Sequence, residues 1–292
     1  EEDSIHYHVS SRHLMLASSW FKRALTKGGS AESNRNEMDG LFYIDASDWD
    51  AEAFLILLRI LHLRNKDVPR TVNLEMLAKI AVLVDYYSCK EAIEVFTEIW
   101  MTKFKRTTKR KSQPVPTTYC RDLVLWIAIA WTFDLKEEFE QATAVAIRES
   151  PETMRTLELP IPARVDTKRH LAIEGIVQSL HGLLEKYRSA TYECPWNSGL
   201  SFECGYFFLG ALTKEMHAMA LFDPRPEIPF PGLSFNQICT RFQKIKTLRW
   251  IPEGGSYYHE CTLDAVMASM VAEGSTATAG LDWDRLKYGK ET

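Results

Sequence analysis

Leu41-Phe42-Tyr43-Ile44-Asp45-Ala46-Ser47-Asp48-Trp49-Asp50 leads into Phe54-Leu55-Ile56-Leu57-Leu58, and the reading of this stretch decides the fold. Aromatic and β-branched residues at its start suit a pleated, half-buried surface and predict a strand over 41–44. Residues 45–48 break the run, and Ser47 with Asp50 three positions on reads as a helix start. The helix that follows, over about 49–62, is apolar almost all round and should be buried on most sides. Val68-Pro69 ends the segment. Asn73 is placed to cap the next helix, where Leu74, Leu77, Ala78, Ala81 and Val82 recur at helical spacing. Ser88 and Glu91 give a second capping-box pattern before Ala92, Val95, Phe96 and Ile99. One strand and three close-packed helices predict a compact core unit over 41–100. None of its residues suggests chemistry.

Working outward, His6 to Val9 alternate weakly, and Ser10 or Ser11 caps a helix reaching to about Leu25. Leu14, Ala17, Phe21 and Leu25 share its inward face, and Leu16, Trp20 and Ala24 form a second apolar stripe. A helix with two apolar stripes needs cover on two sides. Residues 28–40, rich in Gly, Ser and Asn, read as a polar loop.

The 292 residues suffice for one or two domains with a good core. Apolar residues make up 46% and charged ones 25%, a globular rather than disordered composition. Thirty-five basic against 39 acidic residues leave a net charge of −4, so no global field draws the chain to nucleic acid or to membrane. The apolar runs fall short of a membrane span, and no signal-like segment opens the chain. The six cysteines are therefore expected to stay reduced, in the nucleus or cytoplasm. The start at Glu1-Glu2-Asp3, without methionine, reads as that of a fragment.

The wording His8-Val9-Ser10-Ser11-Arg12-His13-Leu14-Met15-Leu16-Ala17-Ser18-Ser19-Trp20-Phe21 resembles the first helix of BTB/POZ domains. The 41–45 strand, the Phe54-centred helix and the helix pair over 74–100 follow in that family's order, so the resemblance covers about residues 5–102. It is closest to fungal BTB proteins, whose wording also matches Leu74-Glu75-Met76-Leu77-Ala78-Lys79-Ile80-Ala81. Two departures stand out. The family's N-terminal β-hairpin lies upstream of Glu1 or is absent, and a histidine common at the start of helix one is Ser10 here. The resemblance implies an α+β fold, a small sheet covered by a helical cluster, followed by a mainly helical C-terminal domain. It also implies a protein-interaction role in which subunits pair through the first helix, making His13, Leu16, Trp20 and Ala24 the candidate partner-binding residues. Substrate adaptors of cullin-type ubiquitin ligases and transcriptional regulators are the family's alternatives. Met38-Asp39-Gly40 does not supply the hydrophobic-x-acid cullin contact.

After Trp100, six basic residues in the nine at 103–111 and the pair Pro114, Pro116 read as an exposed linker. The expected division is a BTB/POZ domain over 1–102, a linker over 103–118 and a helical domain with an irregular tail over 119–292. Within the last, Leu123, Trp126, Ile127 and Ala130, then Phe139, Ala142 and Val145, recur helically, as do Ile173, Ile176, Val177, Leu180 and Leu184. Helices are also expected over about 206–221 and 234–246. Residues 253–292 are weakly patterned, with a flexible break at 274–279. Pro116-Thr117-Thr118-Tyr119, Gly210-Ala211-Leu212-Thr213-Lys214 and Pro224-Arg225-Pro226 resemble the region that follows the BTB domain in the fungal proteins.

The motifs of catalysis are missing: no glycine-rich phosphate cradle, no Gly-x-Ser-x-Gly elbow, no His-Glu-x-x-His zinc helix. The chain reads as non-enzymatic and without cofactor. Cys194, Cys204, His217, Cys239, His259 and Cys261 are soft ligands, yet they lack the paired Cys-x2-4-Cys spacing of structural zinc sites. The bland reading is buried thiols, and no tightly bound metal is expected; were one present, Cys204, Cys239, His259 and Cys261 are the first suspects. The basic run serves nuclear import or is simply solvated, and no zinc-finger or helix-turn-helix pattern accompanies it to read DNA. The partner is expected to be a second copy of the chain or another protein, a cullin among the alternatives, with no direct nucleic acid and no membrane.

Overall fold

The computed structural model describes residues 5–26, 33–107, 114–245 and 250–289, with Ala265 and Ser275 described by their backbone alone. The described residues contain helices and no strand or sheet, which overturns the α+β expectation and the BTB sheet with it. Residues 41–44 are extended and alternate as read, Phe42 and Ile44 half-buried between exposed Leu41 and Tyr43. A strand, however, exists only as part of a ladder, and no described segment pairs with this one. The Leu41 carbonyl instead accepts the nearby Asn36 N–H at 2.8 Å. Alternation reports which way side chains face, not whether a neighbouring strand is there.

Two compact units share the chain. The first takes the described residues of Glu1–Ala142, with Thr156–Ile161 and those of Asp282–Thr292. It holds α1 (Ser11–Ala17), α2 (Ser19–Leu25), α3 (Ala51–Leu61), α4 (Leu74–Tyr86), α5 (Lys90–Thr107), α6 (Arg121–Thr132), the start of α7 (Lys136–Glu149) and α12 (Trp283–Tyr288). The second takes Thr143–Arg155 and Pro162–Leu281, with the end of α7, α8 (Arg164–Arg188), α9 (Ser201–Ala218), α10 (Phe235–Phe242) and α11 (Asp264–Ala277). The basic run starts inside α5, and residues 108–113 of the expected linker and 28–32 of the expected loop lie outside the described residues. No described helix is long and apolar enough to cross a membrane.

In the first unit α4 packs against α3 and α6. Asn73 caps α4 by accepting the Met76 N–H at 2.7 Å, as its position suggests. Asp50, rather than Ser47, caps α3, taking the Ala53 N–H at 2.9 Å, and it also pairs with Lys79 at 2.6 Å. Ser88 does not cap: it sits in the left-handed region (φ 49°), and α5 begins at Lys90. The single helix read over 10–25 is two. Ser18 is extended (φ −139°, ψ 124°), accepts the Phe21 N–H at 3.1 Å and donates to the Tyr87 carbonyl at 2.5 Å. A buried serine that satisfies two backbone groups outcompetes one more helical turn. The Tyr87 ring, 1% exposed, then gathers the rings of Trp20, Phe21, Trp49, Phe54 and Tyr86 around it.

In the second unit α8 lies against α9, α10 and α11. Arg169 of α8 is 1% exposed and donates to the carbonyls of Ser150 (2.9 Å), Pro229 (2.8 Å), Phe230 (3.0 Å) and Leu233 (2.8 Å). Residues 274–279, read as a flexible break, begin inside α11. Gly274 is there because a Cβ at that position would overlap the buried Phe235 ring. The glycine marks close packing rather than freedom.

Two stability predictions follow from this packing. Leu77 has no exposed surface, so Leu77→Ala should cost about 2–5 kcal/mol in urea denaturation. A cost below about 1 kcal/mol would put α4 outside the core. Glycine to alanine in a helix ordinarily gains about 1 kcal/mol. Gly274→Ala should instead lose about 1–3 kcal/mol through overpacking, and a gain would show that α11 does not press on Phe235.

Candidate functional site

The second unit brings four of the six soft ligands together. Sγ of Cys194, Cys204 and Cys261 and a ring nitrogen of His259 all lie within 4.8 Å of one another. Cys194 Sγ is 3.2 Å from His259 Nε2 and 3.7 Å from Cys261 Sγ. Cys194, Cys204 and His259 are buried, at 5%, 0% and 6% exposure, and Cys261 is half-buried.

Three chain segments deliver these groups. Cys194 follows the end of α8 and opens the turn Cys194-Pro195-Trp196-Asn197; its own N–H donates to Ser201 Oγ at 3.0 Å, and its sulfur accepts the Asn197 N–H at 3.4 Å. Cys204 lies near the start of α9, where Gly205 lets the helix approach closely: a Cβ there would stand 3.1 Å from the Tyr187 carbonyl and 3.2 Å from the Tyr192 ring. The Tyr192 hydroxyl is 3.2 Å from Cys204 Sγ. His259 and Cys261 come from residues 250–263, ahead of α11. That segment folds back so that the His259 N–H donates to the Trp250 carbonyl at 2.9 Å. The Trp250 ring stacks on His259 at 4.8 Å, and Trp196 meets it edge-on at 5.2 Å. Phe207 stacks in turn on Trp250 at 5.1 Å.

Burial would raise the Cys194 thiol, but the N–H groups of Asn197 and Trp196 and the neighbouring thiols outweigh it, so it is lowered. Burial pushes the Cys204 thiol up to about 12, and burial with the nearby Cys194 sulfur raises Cys261. Burial alone lowers His259. Three sulfurs and an imidazole gathered this closely are a set of soft donors able to hold a metal ion. A Cys–His pair at 3.2 Å is also the shape of a nucleophile and its base. Catalytic thiols, though, sit partly exposed where a substrate can reach them, and both members of this pair are buried.

Of the other sulfur and imidazole groups, Cys239 is buried in α10 outside the cluster, where burial raises it to about 11, and His217 is exposed on α9. All four stand among the six soft ligands of the sequence, which for want of paired spacing predicts no bound metal there and has Cys239 rather than Cys194 among the first suspects. The usable signal was Cys194-Pro195-Trp196-Asn197, a cysteine opening a tight turn whose amides point back at its sulfur.

The expected partner residues lie in the first unit. His13 is exposed on α1, its ring stacked on that of His62 at 5.3 Å. His62 Nε2 accepts the Ser10 N–H at 2.9 Å while Nδ1 faces the Leu58 carbonyl at 2.8 Å, which fixes the start of α1 on the end of α3. Leu16 is 89% exposed. Trp20, on α2, is half-buried against Phe21, Tyr86 and Tyr87, and Ala24 is buried. The break at Ser18 therefore splits the continuous stripe: His13 and Leu16 belong to one helix, Trp20 and Ala24 to the next.

In native, reduced protein at about pH 8, a thiol reagent should label exposed Cys120 promptly and Cys89, Cys194, Cys204 and Cys239 only on unfolding. Peptide mass mapping of timed samples reads this out. Prompt labelling of Cys194 would mean an open nucleophilic site. No family model, no curated protein and no solved structure matches the chain.

Proposed function

We propose that the chain is a non-enzymatic protein-interaction module that self-associates through its first two helices. The observation that carries the reading is Leu16, a large aliphatic side chain 89% exposed on a helix whose Leu14 is 4% exposed. One exposed leucine is ordinary. Here half-buried Trp20 and Tyr86, which is 49% exposed, add two touching rings on the following helix and at the end of α4. Aromatic and aliphatic groups left at a surface are what interfaces bury at their centres.

Burial of Leu16 in a pair should contribute about 1.5–3 kcal/mol from each subunit. Analytical ultracentrifugation up to about 100 µM should show a monomer–dimer equilibrium. Leu16→Asp should weaken it at least about tenfold without changing the melting temperature, because so exposed a side chain holds no core together. Trp20→Ala should weaken it too, at some cost in stability from its contacts with Phe21, Tyr86 and Tyr87. A wild-type monomer throughout, or a Leu16→Asp dimer of unchanged strength, would remove this surface from the interaction.

A further inference from the structure

We propose that Cys194, Cys204, His259 and Cys261 hold one zinc ion in a closed, four-coordinate site that staples the second unit. The site is independent of the self-association surface and is argued from its own geometry.

Spacing comes first. Zinc–sulfur bonds of about 2.3 Å in a tetrahedron place two sulfurs about 3.8 Å apart. Cys194 and Cys261 Sγ stand 3.7 Å apart, and the widest separation among the four donors is 4.8 Å, so rotation of side chains closes the set. Four protein donors complete a tetrahedron, leaving no position for water or substrate, which is the arrangement of structural rather than catalytic zinc. The donor type comes second. Three thiolates and an imidazole are soft ligands that disfavour calcium and magnesium, whose sites are built from oxygen.

The surroundings come third. Three thiolates around Zn²⁺ leave one net negative charge in a buried place, and the site supplies groups to meet it. The Asn197 N–H reaches Cys194 Sγ, and the Tyr192 hydroxyl, 3.2 Å from Cys204 Sγ, can donate to it. Outer hydrogen bonds of this kind hold metal ligands in orientation. Trp250 and Trp196 wall in the His259 ring and keep water from it. Binding displaces a proton from each thiol that is still protonated, and no oxidant or reductant takes part.

A disulfide is the competing use of these sulfurs. A Cys194–Cys261 bond would leave Cys204 and His259 with no joint role, whereas a zinc ion uses all four.

The test is elemental analysis of the chain purified without chelator, together with the spectrum after exchange into cobalt. One zinc per chain is expected, and cobalt should give the intense visible bands of tetrahedral thiolate coordination. Cys194→Ser and Cys261→Ser should each lose the metal, while Cys239→Ser, also buried but outside the cluster, should keep it. Removing zinc with a chelator under reducing conditions should lower the melting temperature by about 10 °C or more. Should the serine variants fail to fold, the wild-type metal content and cobalt spectrum still decide. Reduced wild-type protein that holds no stoichiometric zinc after zinc is supplied, a weak octahedral cobalt spectrum, or a Cys194–Cys261 disulfide in freshly purified protein would each overturn the site. Iron in place of zinc, seen as visible colour before exchange, would overturn the choice of metal.

Discussion

A guanidinium taken out of water has to recover its hydration from the protein, and Arg169 does so with backbone carbonyls. Four of them, from Ser150, Pro229, Phe230 and Leu233, point at one side chain on α8. This requirement fixes the path of residues 229–233 across the helix. Ser234, the next residue, caps α10 by accepting the Gln237 N–H at 3.2 Å, and Phe235 enters the core against Gly274 of α11. The order α8, α10, α11 is thus set from one buried charge. The guanidinium ties the Pro229, Phe230 and Leu233 carbonyls to α8, so charge and loop stabilise each other.

The first unit is organised by rings rather than by charge. Tyr87 sits among five aromatic neighbours, and its carbonyl receives the Ser18 hydroxyl. Its own hydroxyl accepts the Trp49 indole N–H at 3.1 Å. The turn that ends α4 therefore decides where α1 stops and α2 starts. It also decides that Trp20 reaches the surface half-covered while Leu16 is left outside.

Much of the helical content was legible because it is local. Asn73 with Leu74, Leu77 and Ala81 states cap, face and period within one segment, and the apolar run at 54–61 could only be buried. What failed was non-local. The alternation at 41–44 is real, but a sheet needs a second strand that the residues themselves cannot announce. Ser18 breaks a helix because of a carbonyl 69 positions away. The small residues of α11 carry little amphipathic contrast, and its glycine makes sense only against Phe235. That the four meet was illegible for the same reason: Cys194 and Cys261 are 67 positions apart, and ligands from distant segments leave no paired spacing in the sequence.

That separation also has a temporal side. On a growing chain, Cys194 and Cys204 are made well before His259 and Cys261, with α9 and α10 between them. Joining the two pairs closes a long loop, whose entropy cost must be met before the contact repays it. The cluster is therefore a late event in folding, completed only after α8 and α9 have presented their half. Until then the early thiols stay open to other chemistry, so the interval before residues 250–263 arrive, rather than the finished fold, is when this part of the protein is most easily lost to oxidation.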